Sequence, residues 1–180
     1  MTEPDEALGF AAECDTPIPY MQRIRAYYLA LGYEKPYRWA QYADVPFTNF
    51  SKPLRESRIA LVTTAAPYQA DKGDQGPGAA YNASAKFYAV YSDTTDVDPD
   101  LRISHVGYDR LHTTAEDMNS YVPLARLREA AESGRIGGVA PRFHGAPTNR
   151  SQVTTIERDC TEILTRIRED DADAALIVAN

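Results

Sequence analysis

The run Ser104-His105-Val106-Gly107-Tyr108-Asp109-Arg110 holds the densest set of reactive side chains in the sequence. His105 and Asp109 can form an imidazole–carboxylate pair, in which the carboxylate orients the ring for proton transfer. Tyr108 can donate a hydrogen bond to a developing anion. The alternative is that His105 and Asp109 only cap or pin a loop. A second cluster is Pro141-Arg142-Phe143-His144-Gly145. Arg142 suits a carboxylate, which a guanidinium binds through two parallel N–H bonds. A surface salt bridge is the plainer role for it. Asp117 and Asn119 stand just before an expected helix, where such residues serve as caps and turns.

Other chemistries find less support. His105, His144 and a carboxylate could hold zinc, but the three histidines of the chain (His105, His112, His144) show no close ligand spacing, so no metal is expected. Cys160 falls at helical spacing with Ile156 and Ile163 and is expected to be buried and inert. There is no G-x-S-x-G elbow, no phosphate-loop glycine pattern and no convincing hydrolase triad.

These residues need a frame. Arg58 to Thr64 is a continuous apolar run, the mark of a strand covered on both faces. Residues 86–91 read as a weak strand, and Leu101 to His105 alternates apolar with polar like a short one. Both clusters therefore follow predicted strands, the second after a short strand at 135–140. A helix is predicted from about Pro123 to Ser133, stopped by Gly134. Thr154-x-x-Glu157 has the form of a capping box, and Ile156, Cys160, Ile163 and Ile167 line one helical face after it. Ala174 to Ala179 reads as a buried parallel strand. Strand, helix, strand, helix, strand implies an α/β fold: a three-layer arrangement around a mostly parallel sheet. The last strand lacks a following helix, so the sheet reads as incomplete at the C-terminus.

Upstream, residues 1–17 are acidic and patternless and are expected to form a flexible arm. Met21, Ile24, Tyr28 and Leu31 fall on one face of a short helix that Gly32 ends. Residues 33–54 are rich in aromatics and prolines and suggest a strap packed on the main domain, or a partner-binding surface. The expected division is thus an arm at 1–17, a helix plus strap at 18–54, and an α/β domain at 55–180.

Composition narrows the function. The 180 residues are 43% hydrophobic and 25% charged, enough for one buried core. A formal net charge of -7 argues against general nucleic-acid binding, which needs a positive surface. No apolar run approaches the roughly 20 residues that span a bilayer, and the acidic N-terminus lacks the form of a signal peptide. The expected setting is the cytoplasm, with no nucleic acid and no membrane as partner.

Several phrases resemble one family. Arg58 to Ala65 (RIALVTTA), Arg102 to His105 (RISH) with Tyr108 and Asp109, Asp117-x-Asn119, Tyr121 to Glu129 (YVPLARLRE) and Gly134 to Arg142 (GRIGGVAPR) resemble selenoprotein B of the glycine, sarcosine and betaine reductases. The selenoprotein subunit of D-proline reductase is similar. Pro46-Phe47-Thr48, Lys52-Pro53-Leu54 and Glu56-Ser57-Arg58 look like the family's approach to its first strand, and the likeness covers roughly residues 20–180.

The resemblance implies a reductase subunit acting on a C–N bond of a small amino-acid-like substrate. In that family a selenocysteine or cysteine attacks the substrate carbon and a pyruvoyl subunit activates the amine. A homo-oligomer, or further subunits including a thiol donor protein, is the implied assembly. No cofactor is expected in this chain. The nucleophile's motif follows a strand resembling Ala174 to Asn180, so a selenocysteine or cysteine is expected beyond Asn180, with a UGA codon read as a stop as one account and a naturally short subunit as the other. On this reading His105, Tyr108 and Asp109 shape the site, Arg142 and His144 hold an anionic substrate, and Thr63, Thr64 and Asn119 border it. Two alternatives stand beside it: a non-catalytic subunit that docks a catalytic partner, and an enzyme on the same scaffold that uses His105 and Asp109 as acid and base without a thiol.

Overall fold

A computed structural model describes residues 17–35, 42–45, 48–69, 86–105, 108–109, 111–112, 115–148 and 151–180. The chain divides into two units, Met1–Gln41 and Tyr42–Asn180. In the first, helix α1 spans Tyr20–Ala30. Gly32 ends it at φ +87°, a left-handed conformation that a side chain would strain. None of its residues is buried, and Met21 and Leu31 of the expected apolar face are exposed. Tyr28 packs edge-to-face on Tyr27 and Tyr33. Much of the expected strap, including residues 36–41 and 46–47, lies outside the described residues.

The second unit is a mixed α/β structure built on β1 (Arg58–Thr63), whose last five residues are buried. Strands β5 (Gly138–Val139), β6 (Arg142–Gly145) and β7 (Ala174–Val178) all pair with β1 in parallel. Strand β7 pairs along Ile59 to Thr63, so β5 and β6 share the other edge of β1. Strand β3 (Tyr91–Thr94) lies antiparallel on the outside of β6. Two short strands, β2 (Ala66–Pro67) and β4 (Leu101–Arg102), pair separately.

Alternation along the strands sends neighbouring side chains to opposite faces. Leu61 and Phe143 enter one core with Ala65, Leu101, Ile103, Tyr121, Val122 and Leu124, the last at the start of helix α2 (Leu124–Glu132). Burying a side chain such as Leu61 or Phe143 stabilises the fold by about 1.5–3 kcal/mol. The opposite face carries Arg142 and His144, which meet the helical segment made of α3 (Gln152–Thr154), a π-turned stretch (Thr155–Asp159) and α4 (Cys160–Glu169).

Several expectations shift. The weak strand at 86–91 is β3 at 91–94, and only 138–139 of the stretch 135–140 is a strand. Residues 142–145 form a strand of their own. The last helix begins one turn early. Ser151 Oγ accepts the Thr154 amide at 3.1 Å and caps it, so the Thr154–Glu157 box is not its start. Cys160 is exposed, together with Val153, Ile156 and Leu164. Ile163 and Ile167 of the expected stripe are partly buried, together with Asp159, which is buried, and Arg166, which donates to Ser92 Oγ on β3. Strand β7 is parallel as expected but not buried: Ile177 is 71% exposed. An apolar run cannot distinguish an interior strand from an edge strand, and among the described residues β7 pairs on one side only.

Candidate functional site

The carboxyl ends of β6 and β7 are each tied to that of β1. Thr63 is fully buried, and its hydroxyl donates to the Tyr121 carbonyl at 2.8 Å and accepts the Ala65 amide at 3.1 Å. The Ala146 amide donates to the Thr63 carbonyl at 2.8 Å, tying the end of β6 to β1. Thr64 joins β7. Its amide reaches the Val178 carbonyl, its Oγ1 accepts the Asn180 amide at 2.9 Å and donates to the Asn180 carbonyl at 3.3 Å. A threonine pair at the end of a strand thus serves two neighbours, one hydroxyl on each side of the sheet. Both polar atoms of the Asn180 carboxamide are buried here without a hydrogen-bond partner among the described residues.

The His105 segment follows β4 and the core residue Ile103. His105 is half-buried, and burial pulls its pKa below the ordinary imidazole value, so the ring is neutral near pH 7. The Tyr108 amide returns to the His105 carbonyl at 3.1 Å, and the Tyr108 ring packs against the core. Asp109 meets the ring of His112. Its Oδ2 lies 2.8 Å from His112 Nδ1, while Oδ1 accepts the amides of Leu111 and His112 at 3.1 and 3.3 Å. The D-x-x-H spacing of 109 and 112 was the available signal.

Arg142 and His144 sit on the other face of the sheet from Thr63. Arg142 Nε donates to Asp170 Oδ1 at 2.8 Å and Nη2 to Glu169 at 3.1 Å. These carboxylates hold the guanidinium pKa above its usual value. His144 is fully buried, with Nδ1 2.8 Å from Ser92 Oγ. Arg166 donates to that same oxygen at 2.7 Å, which leaves the Ser92 hydroxyl proton free to go to His144 Nδ1. On the other side of the ring Nε2 faces Asp170 Oδ2 at 3.4 Å. Burial lowers the pKa of His144 against the opposing pull of Asp170. Ser92, Arg166 and Asp170 were not legible as partners, since no local pattern links them.

Asn119 is committed locally. Its amide and its Nδ2 donate to Asp117 Oδ1 at 2.9 and 2.8 Å, which holds the Asp117 carboxyl below the usual range. The structure therefore gathers Thr63 with Tyr121 and Thr64 with Asn180 at the strand ends, sets Asp109 with His112, and places Arg142 with His144 around Asp170. Among the described residues no group of three or more His, Cys, Asp or Glu side chains is placed to hold a metal. No helix among them is long and apolar enough to cross a membrane.

No curated protein and no solved structure matches the chain. A family model does, that of glycine/sarcosine/betaine reductase selenoprotein B, over residues 30–180. That span takes in β1 with its threonines, the His105–His112 segment, the Arg142–Asp170 network and β7. The chain belongs to the glycine/sarcosine/betaine reductase selenoprotein B family.

Proposed function

We propose that this chain is part of a selenol- or thiol-dependent reductase that cleaves the C–N bond of a small amino-acid-like substrate. The observation that carries the reading is the joining of β1, β6 and β7 at their carboxyl ends through Thr63 and Thr64. In open α/β sheets ligands bind outside those ends. Family membership supplies the reaction class. His105, neutral because of its burial, can accept a proton there. Tyr108 would donate to charge that develops on the substrate. Arg142 and His144 already face an anion, the Asp170 carboxylate, so a substrate carboxylate would have to displace it. The electrons come from the selenol or thiol system of the assembled reductase, with which this chain would work.

The test is His105→Ala in the assembled reductase. A fall in kcat of more than tenfold, about 1.4 kcal/mol of barrier, is expected. A smaller change removes His105 from the site.

A second reading draws on β7. Its exposed Leu176 and Ile177 lie on an edge strand without charge or proline. That edge favours a docking role, in which this chain holds the catalytic subunit of the reductase. Size-exclusion chromatography of the co-expressed subunits, with and without Ile177→Lys, separates the two: under the docking reading the variant elutes apart from its partner.

A further inference from the structure

We propose that the open edge of β7 is closed by a second copy of this chain, the two strands pairing antiparallel about a two-fold axis through Leu176. The claim is independent of the reaction the chain serves, and it gives the edge a different occupant from the catalytic subunit of the docking reading. The two edges of the sheet differ. The β3 edge carries the exposed Asp93, a charge of the kind that keeps edges from pairing. Strand β7 has no charge and no proline, and among the described residues it pairs with β1 alone. Such an edge is a template for another strand.

The hydrogen-bond phase of β7 fixes the register. Val178 accepts the Thr64 amide, and the Asn180 amide donates to Thr64 Oγ1. Even-numbered residues therefore turn their N–H and C=O groups toward β1. Alternation turns those of Ala175 and Ile177 to the open side. An axis through Leu176 sets Ala175 opposite Ile177 of the second copy, and Ile177 opposite its Ala175. Each is a hydrogen-bonded pair of an antiparallel ladder, exchanging both N–H···O bonds.

The side chains fit the same register. Ala175 and Ile177 lie on one face, so a small side chain meets a large one across the seam. Ile177 is 71% exposed in the single chain. On the other face Leu176, paired in register with the core residue Leu61, meets its own copy. Asp173, already held by Lys52 and by the Arg58 amide, falls opposite Ala179, well apart from the Asp173 of the second copy. A pair of five-residue strands is small beside the roughly 1,000 Å² that a stable interface buries. Ile177 shares its sheet face with Val62 and His144, the face on which the last helix lies. That helical segment shows Ile156, Cys160 and Leu164 to solvent. The axis stands perpendicular to the sheet, so the helices of both copies lie on one face and add this apolar area beside the seam.

The experiment is sedimentation of the full chain alone at about 0.1 mM, where even micromolar self-affinity gives a dimer. Twice the 20.0 kDa of one chain is expected. Ile177→Lys, with an unchanged circular-dichroism spectrum, should sediment as a single chain. A monomeric wild type overturns the proposal, and so does a dimer that survives Ile177→Lys. A chain that is monomeric alone and assembles through Ile177 only with a catalytic subunit overturns it too and returns the edge to the docking reading. Cysteine pairing reads the register separately. In a Cys14→Ser, Cys160→Ser background, Leu176→Cys sets two sulfurs across a non-hydrogen-bonded pair, with Cα atoms about 4.5 Å apart and within disulfide range. Under mild oxidation it should cross-link at least about tenfold faster than Ile177→Cys, whose mates stand two residues out of step. Equal rates overturn the proposal.

Discussion

His144 Nε2 and Asp170 Oδ2 face each other at 3.4 Å inside the protein, both buried and, among the described residues, neither with a hydrogen-bond partner. Asp170 spends its other oxygen on Arg142. It is the joint between the helical segment, which ends at Glu169, and the sheet. Asp170→Ala leaves Arg142 without its closest partner and opens a void beside His144. A loss of about 2–3 kcal/mol is expected, read from the urea midpoint.

The burial of His144 gives a pH dependence. Burial keeps the folded pKa of His144 below the ordinary 6.5, and His105 shifts the same way. The unfolded chain therefore takes up protons first as pH falls. The stability that both rings contribute while neutral is fully present above about 6.5 and is lost as pH drops from there through the lower folded values. Denaturant midpoints at pH 8 and pH 5 should differ in that direction, and His144→Gln should flatten the slope. A slope unchanged by the substitution would remove His144 as a source of the effect.

Gly145 is a close-approach site. A Cβ there would lie 1.7 Å from Tyr91 Cε1. The ring is held by its hydroxyl, which donates to the Ala65 carbonyl at 2.7 Å, and by edge-to-face packing on Phe143. Burial, with Asp93 nearby, pushes the Tyr91 pKa far up, so the hydroxyl keeps its proton as a donor. Gly145→Ala should destabilise by about 1–3 kcal/mol, seen as a lower thermal midpoint. Tyr91→Phe, which removes only the hydroxyl, should lose about 1 kcal/mol.

Thr64 tests the link between β1 and β7. Its hydroxyl makes two contacts to the Asn180 backbone. Thr64→Val keeps the shape of the side chain and removes both. Faster amide exchange at Asn180 is expected, with about 1 kcal/mol lost in global stability. Unaltered protection would show that β7 is held by its ladder to β1 alone.

What the sequence determined by itself is local in origin. The apolar run of β1, the Pro123–Gly134 bracket around α2 and the parallel pairing of β7 follow from periodicity and end signals that a few neighbouring residues carry. The family phrases were legible for the same reason, because they are contiguous. The tertiary structure decided which side chains meet. Arg142 and His144 are two residues apart, so their sharing one strand face was implicit, but their common partner Asp170 arrives only when the last helix crosses the sheet. The inward face of that helix was legible only in part from its apolar stripe: Ile163 and Ile167 turn in, but so do the buried Asp159 and Arg166, whose partner Ser92 is far off in sequence, while Ile156 and Cys160 stay outside. The exposure of β7 was equally hidden: composition records how apolar a strand is, and only the arrangement of strands records how many neighbours it has.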